Sequence, residues 1–367
     1  MGIVARSQGQ VIHLGLDVHR DTISVGVLPW DREEPSLDKI SSDEEAVRRL
    51  IGRFPDRAAL RVCYEAGPTG YDLARFLRRQ GVSCDVIAPS LIPKAAGDKV
   101  KTDKRDARRL ARLHRAGELT AINIPTPEQE AVRDLCRARV DVVIERTRAR
   151  HRLSKFLLRH SQVFRQGAAW TMAHEQWLRQ LRFEDRALQL TFQHYQHTLA
   201  CCDGQLQVIS SDLASYFDTG PFAGQVKRLA CYRGVRELGA LTLASEVVDW
   251  RRFPSASSFM CFTGLVPTED SSGLRERRGK ITKAGNVHVR TQLVESAWAY
   301  QHRPAVGAVL ERRQHGAPAD TVRRAWTAQQ RLTARFRRLQ AQRHHSNVVA
   351  TAVARELSGF LWAEMTH

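Results

Sequence analysis

Val11-Ile12-His13-Leu14-Gly15-Leu16-Asp17 and Thr22-Ile23-Ser24-Val25-Gly26-Val27-Leu28 are two β-rich runs separated by a polar turn. They read as a hairpin. A weaker extended stretch follows near Leu37 to Ile40, and an amphipathic helix spans Asp43 to Phe54. Next come an apolar strand, Ala59-Leu60-Arg61-Val62-Cys63-Tyr64, a helix from about Gly70 to Arg79, and a strand from Val82 to Ile87. A helical run then opens at Lys101-Thr102-Asp103-Lys104-Arg105-Asp106-Ala107 and continues to Leu113. The expected order is strand, strand, strand, helix, strand, helix, strand, helix.

A meander followed by α/β units is the order of the ribonuclease H-like fold, a mixed sheet flanked by helices. In that arrangement the first and fourth strands are neighbours. Asp17 closes the first and Glu65 the fourth, while the helix after the fifth strand packs over the same edge and brings Asp103 and Asp106. Those two aspartates stand three apart and share a helix face. Singly, each acid reads as a turn or cap residue, and Asp in a first helical turn is favoured by the dipole. Together, four carboxylates would repel unless divalent cations neutralised them, and an oxygen-only set suits Mg2+ or Mn2+. Two ions held about 4 Å apart can activate a nucleophile and stabilise a leaving oxygen at phosphorus.

The 367 residues carry 57 Lys plus Arg against 39 Asp plus Glu, a formal charge of +18 that points to a polyanionic partner, nucleic acid foremost. No apolar run is long enough to span a bilayer, and the first residues lack the apolar core of a signal peptide. Seven scattered cysteines without a Cys-x-x-Cys pair fit reduced thiols, so a cytoplasmic protein with no membrane partner is expected.

From Pro127 to about His160 runs a long helix crowded with arginine, whose apolar positions Val132, Leu135, Val142, Ala149, Leu153 and Phe156 keep heptad spacing interrupted by Arg139 and Arg146. Its arginines suit either a solvated face or a phosphate backbone. Leu188, Phe192, Tyr195, Leu199, Cys202, Leu206, Ile209, Leu213 and Tyr216 then alternate steps of four and three. That seam predicts a coiled coil, with the preceding helix or with another subunit. Asp218-Thr219-Gly220-Pro221 stops it. Short helices are expected over Val226 to Tyr232, Leu238 to Trp250 and Ser255 to Phe262. The turn at Gly234 to Gly239 reads either as a phosphate-gripping helix-hairpin-helix or as a plain connection. Beyond Arg303, arginine pairs at 312 and 313, 323 and 324, and 337 and 338 suit nucleic-acid backbones or solvated helix faces alike.

A second centre of chemistry lies in Gly264-Leu265-Val266-Pro267-Thr268-Glu269-Asp270-Ser271-Ser272-Gly273 and the basic run from Arg275 to Asn286. Serine before glycine usually marks a loop. Here cations stand beside the hydroxyls, which is what attack on a phosphodiester needs.

Five segments then carry a resemblance: Gly-Leu-Asp-Val-His, Tyr-Glu-Ala-Gly-Pro-Thr-Gly and Lys-Thr-Asp-Lys-Arg-Asp-Ala, with Phe-Thr-Gly-Leu-Val-Pro and Ser-Ser-Gly to Ile-Thr-Lys-Ala-Gly-Asn. In order and over nearly the whole chain, they resemble the DEDD transposases of insertion-sequence family one-ten, RuvC-like recombinases guided by a bridge RNA. The resemblance implies that Asp17, Glu65, Asp103 and Asp106 are the catalytic, metal-binding tetrad. It also implies that Ser272, rather than Ser271, is the nucleophile that joins DNA covalently. Composite sites across a tetramer, assembled through the seam, follow from the same likeness. One departure is Arg233-Gly234-Val235-Arg236, where relatives tend to have a proline and two glycines.

The expectation is therefore an α/β plus all-α chain with three parts. A RuvC-like domain covers residues 8–125, a helical coiled-coil arm 126–220 and a helical C-terminal domain 221–367. It would recombine DNA element ends and targets with Mg2+ or Mn2+ and a structured guide RNA, as a homo-oligomer from dimer to tetramer. Arg275, Arg277, Arg278, Lys280 and Lys283 are the candidate nucleic-acid contacts. Two alternatives are a metal-dependent junction-resolving nuclease that uses water, and a nucleic-acid-binding protein with a vestigial site.

Overall fold

Period-two alternation sorts the first strand pair into two faces. The structure, a computed structural model, describes residues 10–93, 102–269 and 277–367, apart from the side chain of Arg278. It divides into two compact units, one ending at Ile124 and the other starting at Pro125.

In the first unit the elements follow the expected order: β1 (Ile12–Val18), β2 (Thr22–Leu28), β3 (Ser36–Ser41), α1 (Glu44–Gly52), β4 (Leu60–Glu65), α2 (Asp72–Arg79), β5 (Ser83–Ile87) and α3 (Asp103–Ala116). The sheet order is β3-β2-β1-β4-β5. The β1–β2 and β2–β3 pairs are antiparallel and the β1–β4 and β4–β5 pairs parallel, so β1 and β4 are neighbours as the order of elements requires. Leu14, Leu16, Ile23, Val25, Val62 and Tyr64 bury one face against Val47, Leu50 and Ile51 of α1 and Ala74, Phe76 and Leu77 of α2. The other face, bearing Cys63 and Ile87, packs on Leu110 of α3.

Among the described residues the second unit is helical apart from one small antiparallel strand pair. It comprises α4 (Pro127–Arg159), α5 (Met172–Gln180), α6 (Arg186–Ala214), α7 (Tyr216–Thr219), α8 (Ala223–Leu229), α9 (Glu237–Val247), α10 (Ala256–Thr263), β6 (Pro267–Glu269), β7 (Arg278–Ile281), α11 (Val287–Ala297), α12 (Ala308–Gln314), α13 (Ala319–Ala341) and α14 (Ser346–Thr366). A capping box at Thr126 and Gln129 with Pro127 at the first turn starts α4. The seam of α6 packs on α4 of the same chain: Phe192, Leu188, Tyr195 and Leu199 meet Leu153, Phe156 and Leu157, while Leu213 joins Val132 and Cys136 in the main helical core. This is the first of the two partners that the periodicity allowed.

The arginines that interrupt the α4 seam lie between the two helices. Arg139 Nε donates to Ser210 Oγ (2.9 Å) and Arg146 to Asp203 (3.3 Å), each on α6. Two of the three C-terminal arginine pairs are likewise split. Arg312 and Arg323 are exposed. Arg313 donates to the carbonyls of Ala230 and Val235, and Arg324 pairs with Glu364 at 2.6 Å. Burial alone would raise the carboxyl of Glu364, but donors from Arg324, Thr321 and Arg228 outweigh it and hold it below the usual range. Half of each of these two pairs is thus internal structure, which neither sequence reading anticipated. No helix among the described residues is long and apolar enough to cross a membrane.

Candidate functional site

Two glycines bring α3 onto the sheet. A Cβ at Gly15 would stand 2.4 Å from the Ala111 nitrogen and 2.5 Å from the Ala107 oxygen, and one at Gly26 would stand 2.6 Å from that same oxygen. Gly15 and Gly26 are paired across β1 and β2, so a smooth patch of backbone receives the helix. The helix runs antiparallel to β1. Residues of β1 on this face are two apart, about 6.6 Å, and meet successive turns of α3, about 5.4 Å each. His114 therefore faces His13 (ring centroids 5.0 Å apart), Ala107 and Ala111 face Gly15, and Asp103 falls beside Asp17.

Thr102 caps α3 by accepting from the Arg105 amide, leaving Asp103 and Asp106 in the first turn, where the helix dipole favours acids. The cap reading and the site reading are compatible. Asp17, His19 and Asp103 each place a ligand atom within 4.8 Å of the other two. His19 Nε2 lies 3.2 Å from Asp17 Oδ2 and 3.6 Å from Asp103 Oδ1. Partial burial raises the Asp17 carboxyl above its ordinary value; His19 works against this, and the charges of Asp103 and Asp106 add to it. The repulsion that two neighbouring acids add at Asp17 is relieved when a cation binds among them.

The other two members of the expected tetrad are placed less tightly. Leu16 pairs with Tyr64 in the parallel ladder, so Asp17 and Glu65 are the next residues on adjacent strands and share the α3 face. Glu65 is exposed and its carboxylate is not in the three-residue group. Asp106, with a side chain only 16 % exposed, lies 3.8 Å from Arg109. His19 is the residue the sequence reading missed. Its signal was the two-residue step from Asp17, obscured because His19 lies beyond the strand end, in a turn. With it the donor set is not oxygen-only, and an imidazole nitrogen beside carboxylates suits Mn2+ better than Mg2+. The donors present fit a divalent cation.

At the far end of the same face, His13 Nδ1 lies 3.4 Å from His114 Nδ1, and His114 Nε2 lies 3.2 Å from Asp85 Oδ2. Burial, then His114, Arg115 and Arg61, lower His13 to about 4, so it is neutral at physiological pH and packs as part of the wall.

Around the second centre the structure replaces part of an expected loop with strands. β6 and β7 pair antiparallel, with Pro267 opposite Ile281 and Glu269 opposite Arg278. Ser271, Ser272 and Arg275 fall in the sequence between these strands and lie outside the described residues. Lys280 on β7, Arg277 before it and Lys283 after it are exposed. At Gly234, with φ +84°, a Cβ would come within 2.2 Å of the Ser296 oxygen, so the turn before α9 is pressed against the end of α11. Close packing accounts for that glycine.

A DEDD transposase family model of the IS110 type, described as a transposase, matches residues 14–162. One described as transposase of the IS116/IS110/IS902 family matches residues 226–310. A putative transposase, y4qE, of Sinorhizobium fredii is 40% identical over 353 residues, covering 95% of this chain and 87% of the relative. The transposase for insertion sequence element IS1533 of Leptospira borgpetersenii is 34% identical over 343 residues, covering 90% and 97% respectively. A probable family 20 transposase of Pseudomonas aeruginosa is 28% identical over 375 residues, covering 95% of each chain.

Proposed function

The chain belongs to the IS116/IS110/IS902 family of insertion-sequence transposases, and from that premise we propose that it cuts and rejoins DNA through a serine-linked intermediate. The observation that carries the catalytic reading is the convergence of Asp17 and Asp103, with Asp106 acting on the same charge, where α3 docks on Gly15 and Gly26. Asp17, Glu65, Asp103 and Asp106 would hold Mg2+ or Mn2+, and His19 would add a nitrogen donor beside Asp17 and Asp103. A bound divalent cation supplies charge stabilisation to the scissile phosphodiester.

This chain's own residues do the rest. The hydroxyl of Ser272 attacks phosphorus; the new Oγ–P bond forms as one P–O bond to deoxyribose breaks, and the serine proton ends on the released hydroxyl. Religation is the same step reversed, so no external energy source is needed. Arg275, Arg277, Arg278, Lys280 and Lys283 hold the phosphates and oppose the charge that develops in transfer. A structured guide RNA pairs with element-end and target DNA and carries the base readout. The RuvC-like domain (residues 8–125), the α4–α6 coiled-coil arm (126–220) and the C-terminal domain (221–367) assemble as a dimer to tetramer in which one subunit's carboxylates serve another's serine.

Metal removal tests the carboxylate half. With element-end DNA and guide RNA present, strand cleavage is expected in Mg2+ or Mn2+ and none above background after chelation, with recovery when the ion is restored. Undiminished cleavage in excess chelator would overturn it.

A further inference from the structure

Glu246 is a carboxylate inside the helical core. It lies on α9, and its side chain is 1% exposed. Arg137 of α4 donates to it twice, Nε to Oε1 at 2.7 Å and a terminal nitrogen to Oε2 at 2.8 Å. Asn286 Nδ2 donates to Oε2 at 2.7 Å. Burial alone would raise this carboxyl; the Arg137 bonds and charge and the Asn286 amide outweigh it and keep Glu246 below the usual carboxylate range. An ion pair with its carboxylate buried and its guanidinium part-exposed is a weak argument for stability by itself. What a bidentate, directional contact does provide is geometry.

The geometry it provides concerns β6 and β7. Their root is tied by amides: Thr282 donates to the Val266 carbonyl (2.9 Å), Lys283 to Gly264 (3.1 Å) and Asn286 to Phe262 (3.0 Å). Gly285, at φ +102°, lies so close to the Phe262 carbonyl that a Cβ would come within 2.1 Å of it. Asn286 ends this root and starts α11, its Oδ1 accepting from the Val289 amide at 3.0 Å. One amide side chain thus caps a helix with its oxygen and reaches the buried carboxylate with its nitrogen. Through it the exit of β7 is tied to α4, whose other end lies along α6.

We propose that Arg137, Glu246 and Asn286 form a positioning relay that fixes the β6–β7 strands relative to α4, so that a change in the seating of α4 is felt where the strands flank Ser272 in sequence. The relay rests on the reading of Ser272 as nucleophile. Its members act through the strands they anchor.

The test exploits the two roles of Asn286. Asn286→Asp keeps an oxygen for the α11 cap but sets a second carboxylate against Glu246. Glu246→Gln alone presents an amide to donors on both sides. The double variant restores the contact with residue 286, the Gln nitrogen donating to the new aspartate while the Gln oxygen still accepts from Arg137 Nε, but it gives up the second Arg137 bond. With the whole chain, guide RNA and element-end DNA, the rate of covalent protein–DNA adduct formation is expected to fall about 10- to 100-fold in each single variant and to recover about threefold or more over the singles in the double, with DNA retention unchanged. Loss of stability alone would be relieved in the double as well, so unchanged DNA retention and an unchanged melting midpoint in the single variants are what mark a positioning role. Single variants that form adduct at the wild-type rate, or a double variant no better than the singles, would overturn the relay. Should Asn286→Asp fail to fold, Arg137→Lys keeps the charge but loses the two-pronged contact; an unchanged adduct rate there would overturn it as well. A wild-type protein that cuts DNA without any adduct fails the serine reading itself, whereas adduct in the wild type with indifferent variants fails the relay alone.

Discussion

Asp17→Ala is expected to reduce DNA strand cleavage by about three decades or more while leaving the N-terminal unit folded, with a melting temperature equal to or above that of the wild type. The activity arm follows from position: Asp17 is the acid that faces His19 and Asp103 at once and feels the charge of Asp106. Removing it takes away the central ligand of the set. The stability arm follows from electrostatics. An acid whose carboxyl is raised in the folded protein is more easily ionised in the unfolded chain, so at neutral pH its charge opposes folding. Deleting that charge relieves it, the usual trade between function and stability at a charged site. Cleavage assayed with and without Mg2+, beside a calorimetric melt, measures both arms. Cleavage retained in Asp17→Ala would return the acids to the role of turn and cap residues.

Gly15→Val is expected to be the most damaging single substitution in the N-terminal unit. Its Cβ would meet backbone atoms of α3, the Ala111 nitrogen at 2.4 Å and the Ala107 oxygen at 2.5 Å, and backbone cannot swing aside as a long side chain can. Displacing α3 costs more than about 3 kcal/mol by comparison with ordinary overpacking, a large share of the roughly 5–15 kcal/mol that holds a domain together. Even where the sheet survives, Asp103 is carried away from Asp17. A chemical melt should show a large drop in midpoint, and cleavage should be lost with it. Gly52→Ala is the matched control, because nothing lies within 4 Å of a Cβ there. Wild-type stability in Gly15→Val would contradict the docking of α3 described above.

Much of the first unit was legible because alternation in β1 and β2 is strong and the intervening helices are amphipathic. The adjacency of β1 and β4, at whose ends Asp17 and Glu65 stand, and the shared first turn of Asp103 and Asp106 were readable from element order and spacing. What sequence spacing does not carry is side-chain reach. It could not tell that His19 folds back between Asp17 and Asp103, nor that Glu65 lies beside Asp17 in register while its carboxylate sits apart. The β6–β7 hairpin was hidden because its strands are three and four residues long and rich in polar groups. The arginines misled for another reason. A guanidinium looks the same in sequence whether it faces solvent, phosphate or a buried acid, and the acids that hold Arg137 and Arg324 are 109 and 40 residues away.

The most direct test of the central claim is a trap for the covalent intermediate. The protein is mixed with element-end DNA, guide RNA and Mg2+, denatured, and examined for DNA migrating with protein in wild type, Ser271→Ala and Ser272→Ala. An adduct present in wild type and Ser271→Ala and absent from Ser272→Ala is the predicted result. Cleaved DNA without an adduct in any of the three would contradict it and assign the carboxylate site to a nuclease that uses water.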